Sequence, residues 1–568
     1  MGKFNKEIRF KNKKAIVWAI LLSLIVLLPN IFLACYGDDI AEASFFKQIT
    51  FLFVSALLFF IPSLFLRMKA FFLFNGIFVL VAPFEIVHIY LNKMPITTAF
   101  LLSIFDTSWN ESTEMLASIT IPIFLMIVLW ILYFYITLKK IKNVFLIHSF
   151  KTRMYFLCAF LILIITGYSY YFSSEYYAKA DKKNVFTSTN KYILTKSNLV
   201  YPYNIIINTY KVYTTKKKIN KGLEKAQNFS FNAYKEEQID EREVYVFVIG
   251  ETGRYNSYSI NGYRRETSPL LSKTKNLISY SDLFSEANIT SSSLPIILTR
   301  ASAKDFDRGF IEKSFVDAFK EAGFATYWIA NQSENNGFIR RISKDTNGDF
   351  FMPIDFDTNI TYDEKLWEFL TEVLEKEDNK VLIVLHTLGS HFRYNFRYPP
   401  SFEIFRPSLK GAFNYNMNSV NNKEMIINTY DNSIVYTDFF LATTIHKLDS
   451  LKTVSALVYV ADHGENLFDT AENVYMHGGS KFTEYDLHVP FFVWTSDDYN
   501  NQFPLKVENL ILNKDKRLTS DYIFYSLLDI AGITFPEQIP AKSIASKYLK
   551  EDSVRYIINT NMEVQEGF

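Results

Sequence analysis

The stretch that decides the fold is VYVFVIGETGR, at residues 244–254. Its first six residues are β-branched or aromatic, which predicts a buried strand over Val244–Ile249 that ends at the glycine-containing segment behind it. Further predicted strands are Ala325–Ile329, Val381–Leu385, Ala456–Val460 and Val489–Trp494, and helical patterns lie at Ile311–Ala322, Lys365–Lys376 and Thr429–Leu448. This alternation is typical of an α/β sandwich with a mostly parallel central sheet.

Titratable side chains follow three of the predicted strands directly, where ligands gather in sheets of this kind. The segments are residues 250–254 with Glu251, 386–391 with His386 and His391, 461–465 with Asp462 and His463, and the nearby 476–479 with His477. None of these segments contains cysteine. A transition-metal site here would be built from imidazole and carboxylate groups, which suits zinc.

A hydroxyl-rich loop, NITSSSLPIIL at residues 288–298, supplies candidate nucleophiles. It runs into an apolar, helix-like segment, and backbone N–H groups at the start of a helix can hold a phosphate. An ordinary Ser/Thr N-cap is the alternative interpretation of the same pattern. Composition alone does not rank the four successive hydroxyls of residues 290–293.

The first third of the chain predicts a membrane domain. Five apolar runs are each close to the roughly 20 residues that a helix needs to cross about 30 Å of hydrocarbon. They are Ala15–Ala34, Ile49–Leu66, Ala70–Leu91, Ile119–Leu138 and Met154–Phe172. Basic residues concentrate before the first run and after the second and fourth, which predicts a cytoplasmic N-terminus and places everything after about Ser173 on the far side.

The composition agrees with a membrane part joined to a soluble part. The 568 residues include 60 Lys+Arg and 59 Asp+Glu, and this balance argues against a nucleic-acid partner, which would require a basic excess. We expect a five-helix transmembrane domain over residues 1–173, a linker with interfacial helices over 174–240 and a catalytic α/β domain over 241–568. The two cysteines, Cys35 and Cys158, lie in or beside predicted spans, which excludes a disulfide framework.

In combination, the motifs resemble the phosphoethanolamine transferases of Gram-negative inner membranes, the lipid A and colistin-resistance type of the alkaline phosphatase–sulfatase superfamily. The matching blocks are VIGETGR at residues 248–254, SINGYRR at 259–265, LHTLGSH at 385–391 with RYP at 397–399, ADHGENL at 461–467 and YMHG at 475–478. The resemblance implies a periplasmic alkaline-phosphatase/sulfatase-like α/β/α sandwich behind the five spans.

The resemblance also ranks the hydroxyls. In the family the nucleophilic Thr lies five residues before a Pro, here Pro295, and the spacing from Glu251 agrees, which selects Thr290. The implied zinc ligands are Glu251, Thr290, Asp462 and His463. The implied substrate contacts are His391 and His477, at the phosphoryl group or a second zinc, and Glu111 of the loop DTSWNE at residues 106–111, at the lipid.

The implied activity is transfer of phosphoethanolamine from phosphatidylethanolamine to lipid A or another lipopolysaccharide or glycan acceptor. Thr290 would carry a covalent phospho-threonine intermediate, and His391 or His477 would move the proton of the leaving and entering oxygens. The implied location is the inner membrane, with several spans and a periplasmic catalytic domain. Polymyxin resistance would follow only if lipid A phosphate is the acceptor.

Other functions are weighed against this interpretation. A glycerol-phosphate transferase of the lipoteichoic-acid-synthase type shares five spans and a Thr nucleophile, but the block at residues 389–391 with 397–399 favours the phosphoethanolamine branch. A non-catalytic membrane protein that retains the fold would not need a competent residue at every zinc and nucleophile position. A sulfatase requires Cys/Ser-x-Pro-x-Arg, whereas Ser293-Leu294-Pro295-Ile296 is followed here by Ile297.

The chain departs from the family pattern in two respects. Family catalytic domains usually carry disulfides, one of them beside the nucleophile, whereas this domain has no cysteine. We therefore expect packing and hydrogen bonds to hold the nucleophile loop. The segment Ala330–Asn336 replaces a block with substrate-contacting polar residues, which leaves the ethanolamine contacts open.

Overall fold

The computed structural model describes residues 13–41, 45–106, 120–145, 149–173, 198–332, 337–352, 361–411, 420–471, 473–479 and 482–567. The chain divides into two compact units. The first comprises Met1–Leu101 with Met115–Val212, and the second comprises Leu102–Glu114 with Tyr213–Phe568.

Long apolar helices dominate the N-terminal part. The helices are α1 (Lys13–Tyr36), α2 (Asp38–Ala41), α3 (Phe45–Phe60), α4 (Met68–Asn92), α5 (Thr98–Asp106), α6 (Thr120–Lys140), α7 (Phe150–Ser173) and α8 (Tyr203–Gln227). Within the described residues, three segments are long and apolar enough to cross a membrane: Ile16–Tyr36, Phe45–Leu64 and Met68–Tyr90. They coincide with the first three predicted spans. The fourth and fifth predicted runs form α6 and α7, and the count of five spans stays a prediction.

Buried polar contacts tie the segment before α8 to the apolar helices of the first unit. The Asn30 side chain exchanges two hydrogen bonds of 2.8 Å with the backbone of Tyr201. Glu85, buried in α4, accepts a hydrogen bond of 2.7 Å from the Asn204 amide. A polar group inside an apolar bundle is costly unless it is bonded, so these pairs fix how residues 200–208 lie on α1 and α4.

The second unit is built on a seven-stranded sheet in the order β3-β9-β8-β2-β7-β5-β6. The strands are β1 (Tyr234–Lys235), β2 (Glu243–Gly250), β3 (Leu277–Tyr280), β4 (Leu283–Phe284), β5 (Ala325–Ala330), β6 (Gly348–Phe351), β7 (Lys380–His386), β8 (Val454–Ala461), β9 (Phe491–Thr495), β10 (Leu518–Thr519), β11 (Ile533–Thr534), β12 (Tyr556–Ile558) and β13 (Val564–Glu566). Strands β8, β2, β7, β5 and β6 are parallel, and β9 and β3 complete one edge in antiparallel pairing. The predicted mostly parallel sheet is confirmed.

Helices cover both faces of this sheet, which explains why its central strands are buried along their whole length. The helices are α9 (Thr290–Leu298), α10 (Arg308–Ile311), α11 (Phe315–Glu321), α12 (Gly337–Lys344), α13 (Leu366–Leu374), α14 (Lys423–Asp449), α15 (Glu484–Leu487), α16 (Asp497–Gln502), α17 (Pro504–Leu512) and α18 (Ile523–Ile530). Alternate residues of β2 enter two separate apolar cores: Tyr245, Phe247 and Ile249 on one face, and Val244, Val246 and Val248 on the other.

Candidate active site

The site is built where three adjacent parallel strands end. Strand β2 lies between β8 and β7, and the register pairs Gly250 with Ala461 and Ile249 with His386. The residues that follow these pairs therefore meet at one edge of the sheet. This register brings Glu251 beside Asp462 and His463, as the positions of the motifs at the strand ends predict.

Glu251, Asp462 and His463 each direct one ligand atom to a common point, and these atoms lie within 4.8 Å of one another. The Nε2 atom of His463 is 3.6 Å from Oε1 of Glu251 and 3.4 Å from Oδ2 of Asp462. All three side chains are buried. Two carboxylates and one imidazole converging inside a protein form a set of donors for a divalent cation.

Hydrogen bonds hold the outer atoms of this set and leave the inner ones available. Oδ1 of Asp462 accepts the backbone N–H groups of Thr252 (3.0 Å) and His463 (2.8 Å). Nδ1 of His463 lies 2.9 Å from the carbonyl oxygen of Gly464, so Nδ1 carries the hydrogen and Nε2 keeps its lone pair. Oδ2 of Asp462 accepts no hydrogen bond from the described residues.

The electrostatics of the cluster favour a bound cation. Burial, together with the adjacent charge of Asp462, raises the pKa of Glu251 well above its ordinary value. Burial lowers the pKa of His463, which keeps its imidazole neutral and able to bind a metal. Nitrogen and oxygen donors from two carboxylates and one imidazole fit zinc, and a fourth donor would complete a tetrahedral set.

The hydroxyl of Thr290 lies beside these three side chains. Its Oγ1 lies 3.2 Å from Oε1 of Glu251 and 3.3 Å from Nε2 of His463, at the first residue of α9. Ser293 instead donates 3.0 Å hydrogen bonds to the backbone oxygens of Ala287 and Ile289 and is fully buried. Among the four hydroxyls that composition could not rank, Thr290 is the one hydrogen-bonded to the cluster.

Hydrogen bonds hold the nucleophile loop, and no disulfide contributes, because both cysteines are free. The hydroxyl of Ser285 lies 2.6 Å from the carbonyl oxygen of Asp462 and thereby ties the loop to a candidate ligand. The amide of Asn288 donates a hydrogen bond of 2.8 Å to the buried carboxylate of Asp486. Packing and hydrogen bonding thus take the place that the resemblance gives to a disulfide.

The two predicted phosphoryl-contact histidines lie beside the cluster in different settings. The ring of His477 packs against the ring of His463, with the ring centroids 4.1 Å apart and the planes tilted by 43°. Burial alone would lower the pKa of His477, but the carboxylate of Glu465 raises it above its ordinary value. Burial, with the charges of Arg397 and His477, lowers the pKa of His391 to about 3. At neutral pH His391 is therefore a neutral group, whereas His477 is the better proton donor.

Sequence reasoning missed two residues of the site. Glu465, within the block ADHGENL, lies 3.2 Å from Nδ1 of His477, and its position just after His463 was the only signal for it. Asp363 accepts the backbone N–H groups of Leu388 (2.8 Å) and Gly389 (3.0 Å) and had no signal, because its partners are contributed by another strand end.

The turn that Asp363 holds presses against a candidate ligand. A Cβ atom on Gly389, whose φ is +49°, would come within 2.7 Å of the backbone oxygen of Glu251. Only glycine permits this approach. The N–H of Ser390 donates to the same oxygen at 3.0 Å, so the block LHTLGSH supports Glu251 from behind.

Three predicted features receive no place in the site from the structure. Glu111 and residues 333–336 lie outside the described residues. Asn331 donates hydrogen bonds to Asp363 (2.9 Å) and to the backbone oxygen of Thr361, so it supports the turn. His386 is buried, and neither of its ring nitrogens forms a hydrogen bond within the described part of the chain.

Comparison with known proteins agrees with this geometry. The family model described as Sulfatase matches residues 243–533. The phosphoethanolamine transferase EptA of Salmonella typhimurium is 30% identical over 307 residues, which cover 52% of this chain and 54% of that protein. The chain thus spans about half the length of the curated relatives it matches.

Two solved structures resemble the chain. The C-terminal periplasmic domain of EcEptC from Escherichia coli, in complex with Zn, is 26% identical with a TM-score of 0.52, covering 59% of this chain and 95% of that one. The integral membrane protein lipooligosaccharide phosphoethanolamine transferase A (EptA) from Neisseria meningitidis is 20% identical with a TM-score of 0.69, covering 93% and 98%. The second likeness shows that this chain shares the fold of that protein over most of its length.

Proposed function

Because the chain belongs to the sulfatase family, and because its site combines a threonine nucleophile with zinc-type ligands, we propose that it is a zinc-dependent phosphoethanolamine transferase. The single observation that carries the proposal is the position of Thr290, whose Oγ1 is within 3.3 Å of both Glu251 and His463. A hydroxyl among metal ligands at the start of a helix is placed to attack phosphorus. The similarity to phosphoethanolamine transferases supplies the transferred group.

The proposed reaction has two steps. Oγ1 of Thr290, already deprotonated to the alkoxide, attacks the phosphorus of phosphatidylethanolamine, a threonine–phosphorus ester forms, and the bond from phosphorus to the diacylglycerol oxygen breaks. An acceptor oxygen of lipid A or a related glycan then attacks the ester and regenerates Thr290. Zinc held by Glu251, Thr290, Asp462 and His463 would lower the pKa of the Thr290 hydroxyl and neutralise phosphate charge.

The remaining residues of the site bind and move protons. His477 would protonate the departing diacylglycerol oxygen and later take the proton of the entering acceptor. His391, as a neutral imidazole, would contact the phosphoryl group or a second zinc. Glu111 would contact the lipid. We propose as well that residues 1–173 form a five-span anchor in a Gram-negative inner membrane, that 174–240 form a linker, and that 241–568 act in the periplasm.

A sulfatase activity is not proposed despite the family membership. The residue at the position of a convertible serine is Ser293, which is fully buried and bonded to backbone oxygens. The arginine of the sulfatase motif is replaced by Ile297. Because Ser293 is buried and the motif arginine is absent, Ser293 is not a candidate for conversion to formylglycine.

The test is a trapping experiment with the full-length chain in detergent. The protein is mixed with phosphatidylethanolamine, quenched, digested and analysed by mass spectrometry. We expect phosphoethanolamine on the peptide that contains Thr290. Thr290→Ala should lower transfer by at least about 10⁴-fold because it removes the nucleophile.

The matched control is Ser291→Ala, which changes the neighbouring hydroxyl of the same loop and should keep wild-type activity. Wild-type transfer by Thr290→Ala would contradict the proposal. A glycerol-phosphate adduct from phosphatidylglycerol, with none from phosphatidylethanolamine, would replace it by the glycerol-phosphate alternative. Mass spectrometry of envelope lipids from a deletion strain and its parent would identify the acceptor.

A further inference from the structure

A buried carboxylate outside the zinc-type set holds one of the proposed proton-transfer groups. Glu465 is fully buried, and its Oε1 lies 3.2 Å from Nδ1 of His477. Its Oε2 accepts a hydrogen bond of 2.8 Å from the hydroxyl of Tyr394. No described contact joins Glu465 to Glu251 or Thr290, and its carboxylate faces His477 instead.

This contact fixes the orientation of the His477 ring. Both carboxylate oxygens of Glu465 lie near Nδ1 of His477, at 3.2 and 3.4 Å, so Nδ1 is the ring atom that this contact engages. Nε2, on the opposite side of the ring, forms no hydrogen bond within the described residues. The His463 ring at 4.1 Å supports the imidazole from one face. The His477 side chain keeps 19% of its surface exposed, which leaves the ring edge reachable.

Tyr394 holds the other side of the Glu465 carboxylate. It lies three residues after His391, is 2% exposed, and packs edge-on against Tyr430 with ring centroids 5.3 Å apart. The hydroxyl of a buried tyrosine needs a partner, and the Glu465 carboxylate provides it. Contacts thus run from Tyr394 through Glu465 to His477.

We infer that Glu465 is a positioning residue that aims Nε2 of His477 at the oxygen that leaves phosphorus. The inference rests on the proposed function. As the bond from phosphorus to the diacylglycerol oxygen breaks, the Nε2 proton of the imidazolium passes to that oxygen and diacylglycerol departs as an alcohol. In the second step the neutral imidazole takes the proton of the acceptor hydroxyl while the acceptor oxygen bonds to phosphorus.

A merely structural role for Glu465 makes a different prediction. Structural damage lowers the reaction of every substrate by a similar factor. A misdirected proton donor, by contrast, slows only those reactions whose leaving group needs a proton. An alkoxide such as that of diacylglycerol needs one, whereas p-nitrophenolate is stable enough to leave without it.

The experiment compares two donors on the full-length chain in one detergent: a short-chain phosphatidylethanolamine and p-nitrophenyl phosphoethanolamine. Release of the leaving group is measured in a single turnover with enzyme in excess. Glu465→Gln keeps the size of the side chain and removes its charge. We expect it to slow release of diacylglycerol by about 10²-fold or more, within the range of general-acid catalysis, and to leave release of nitrophenolate within a few-fold of wild type.

The chain offers a matched control for loss of a buried carboxylate. Glu243 is also fully buried and also accepts a tyrosine hydroxyl, that of Tyr245, at 2.9 Å, but it lies at the opposite end of β2. Glu243→Gln should therefore leave the ratio of the two release rates unchanged, whatever fraction of the protein is folded.

Two further variants keep the inference testable if Glu465→Gln folds poorly. Tyr394→Phe removes one hydroxyl from the far side of the carboxylate and should slow diacylglycerol release several-fold without affecting nitrophenolate. Glu465→Gln added to His477→Ala should cause no further loss on the alkyl donor, because a residue that acts through His477 has nothing left to position.

Each outcome decides between the possibilities. Selective loss on the alkyl donor supports the positioning role. An equal loss on both donors, or no loss on either, overturns it while leaving the proposed function intact. A wild-type protein that releases neither leaving group overturns the proposed function, and the inference with it.

Discussion

The two ends of strand β2 both carry a buried glutamate, but they differ in where the balancing positive charge comes from. At the first residue, Oε2 of Glu243 lies 2.6 Å from Nζ of Lys235, and both side chains are at most 1% exposed. Just beyond the last residue, Glu251 faces Asp462 and a neutral His463, and no described lysine or arginine forms an ion pair with it. The Glu243 carboxylate has its counter-charge within the chain, although its Oε1 accepts no hydrogen bond from the described residues, whereas the Glu251 carboxylate has no described cation beside it.

The difference shows how one strand can serve structure and chemistry at once. The buried ion pair of Glu243 and Lys235 balances its own charges, and the Tyr245 hydroxyl also donates to Glu243. The Glu243 end of β2 therefore serves the structure of the fold. Two ionised carboxylates that face each other in a medium of low dielectric constant repel each other, so added positive charge would stabilise the Glu251 end. A site that binds metal and activates a hydroxyl needs this incompleteness.

Substituting the two glutamates in turn should have its largest effect on metal binding. Glu251→Gln removes one negative donor and should weaken zinc binding by more than the roughly 10–100-fold that loss of an outer partner costs. Transfer activity should fall with it. A competition titration of the full-length chain against a chromophoric chelator measures the affinity. Glu243→Gln is the matched control and should bind zinc as the wild type does; equal affinities for Glu251→Gln and wild type would contradict the assignment.

The next largest effect is on the free energy of unfolding. Here Glu243→Gln should have the larger effect and Glu251→Gln the smaller one, the reverse of their effects on zinc binding. Glu243→Gln leaves the buried ammonium of Lys235 without its counter-charge, and we expect a loss of about 3–5 kcal/mol in the free energy of unfolding. Glu251→Gln, in chelator-treated protein, relieves a repulsion and should not lower that free energy. Urea unfolding of the full-length chain in detergent measures both. A larger loss for Glu251→Gln than for Glu243→Gln would show that the two ends do not differ in this way.

Much of the Glu251 end was predictable from the sequence. Buried parallel strands are continuous apolar runs, so the ends of β2, β7 and β8 were predicted to within about two residues. The residues that follow β2 and β8 were predicted to include the site residues Glu251, Asp462 and His463. The nucleophile needed more, because four adjacent hydroxyls are chemically alike in a sequence. The family resemblance selected Thr290, and the hydrogen bonds of α9 agree with that choice.

The Glu243 end was not predictable, for a physical reason. Lys235 lies in a polar segment that looks solvated, and its burial depends on β1 pairing with β11, almost 300 residues later in the chain. The role of Glu465 was hidden for the same reason, because its partner Tyr394 comes from another strand end. Local patterns give strands and their ends, whereas charge pairing between distant segments becomes visible only in the fold. The predicted role of Glu111 concerns a residue outside the described part of the chain.

A third buried carboxylate sharpens the comparison, because neither a lysine nor a metal site balances it. Asp438, on α14, is 1% exposed and accepts the backbone N–H groups of Leu270 (3.0 Å) and Leu271 (2.8 Å). Burial raises the pKa of Asp438 to about 6, although these two hydrogen bonds oppose the rise. Partial charges on two amides therefore do not offset the cost of burying the ionised Asp438 carboxylate.

The smallest expected effect is the pH dependence that this pKa imposes on stability. Because the folded-state pKa lies above the ordinary value near 4, the stabilisation is fully present below about pH 4 and is lost as the pH rises through about 6. Between these limits the wild type should lose on the order of 2–3 kcal/mol relative to Asp438→Asn, which has no proton to release. Urea unfolding of both proteins across this range measures the difference. If the difference in the free energy of unfolding between the two proteins did not change with pH, two backbone N–H groups would balance a buried carboxylate as fully as a lysine does. The contrast between the two ends of β2 would then depend on hydrogen bonding instead of charge.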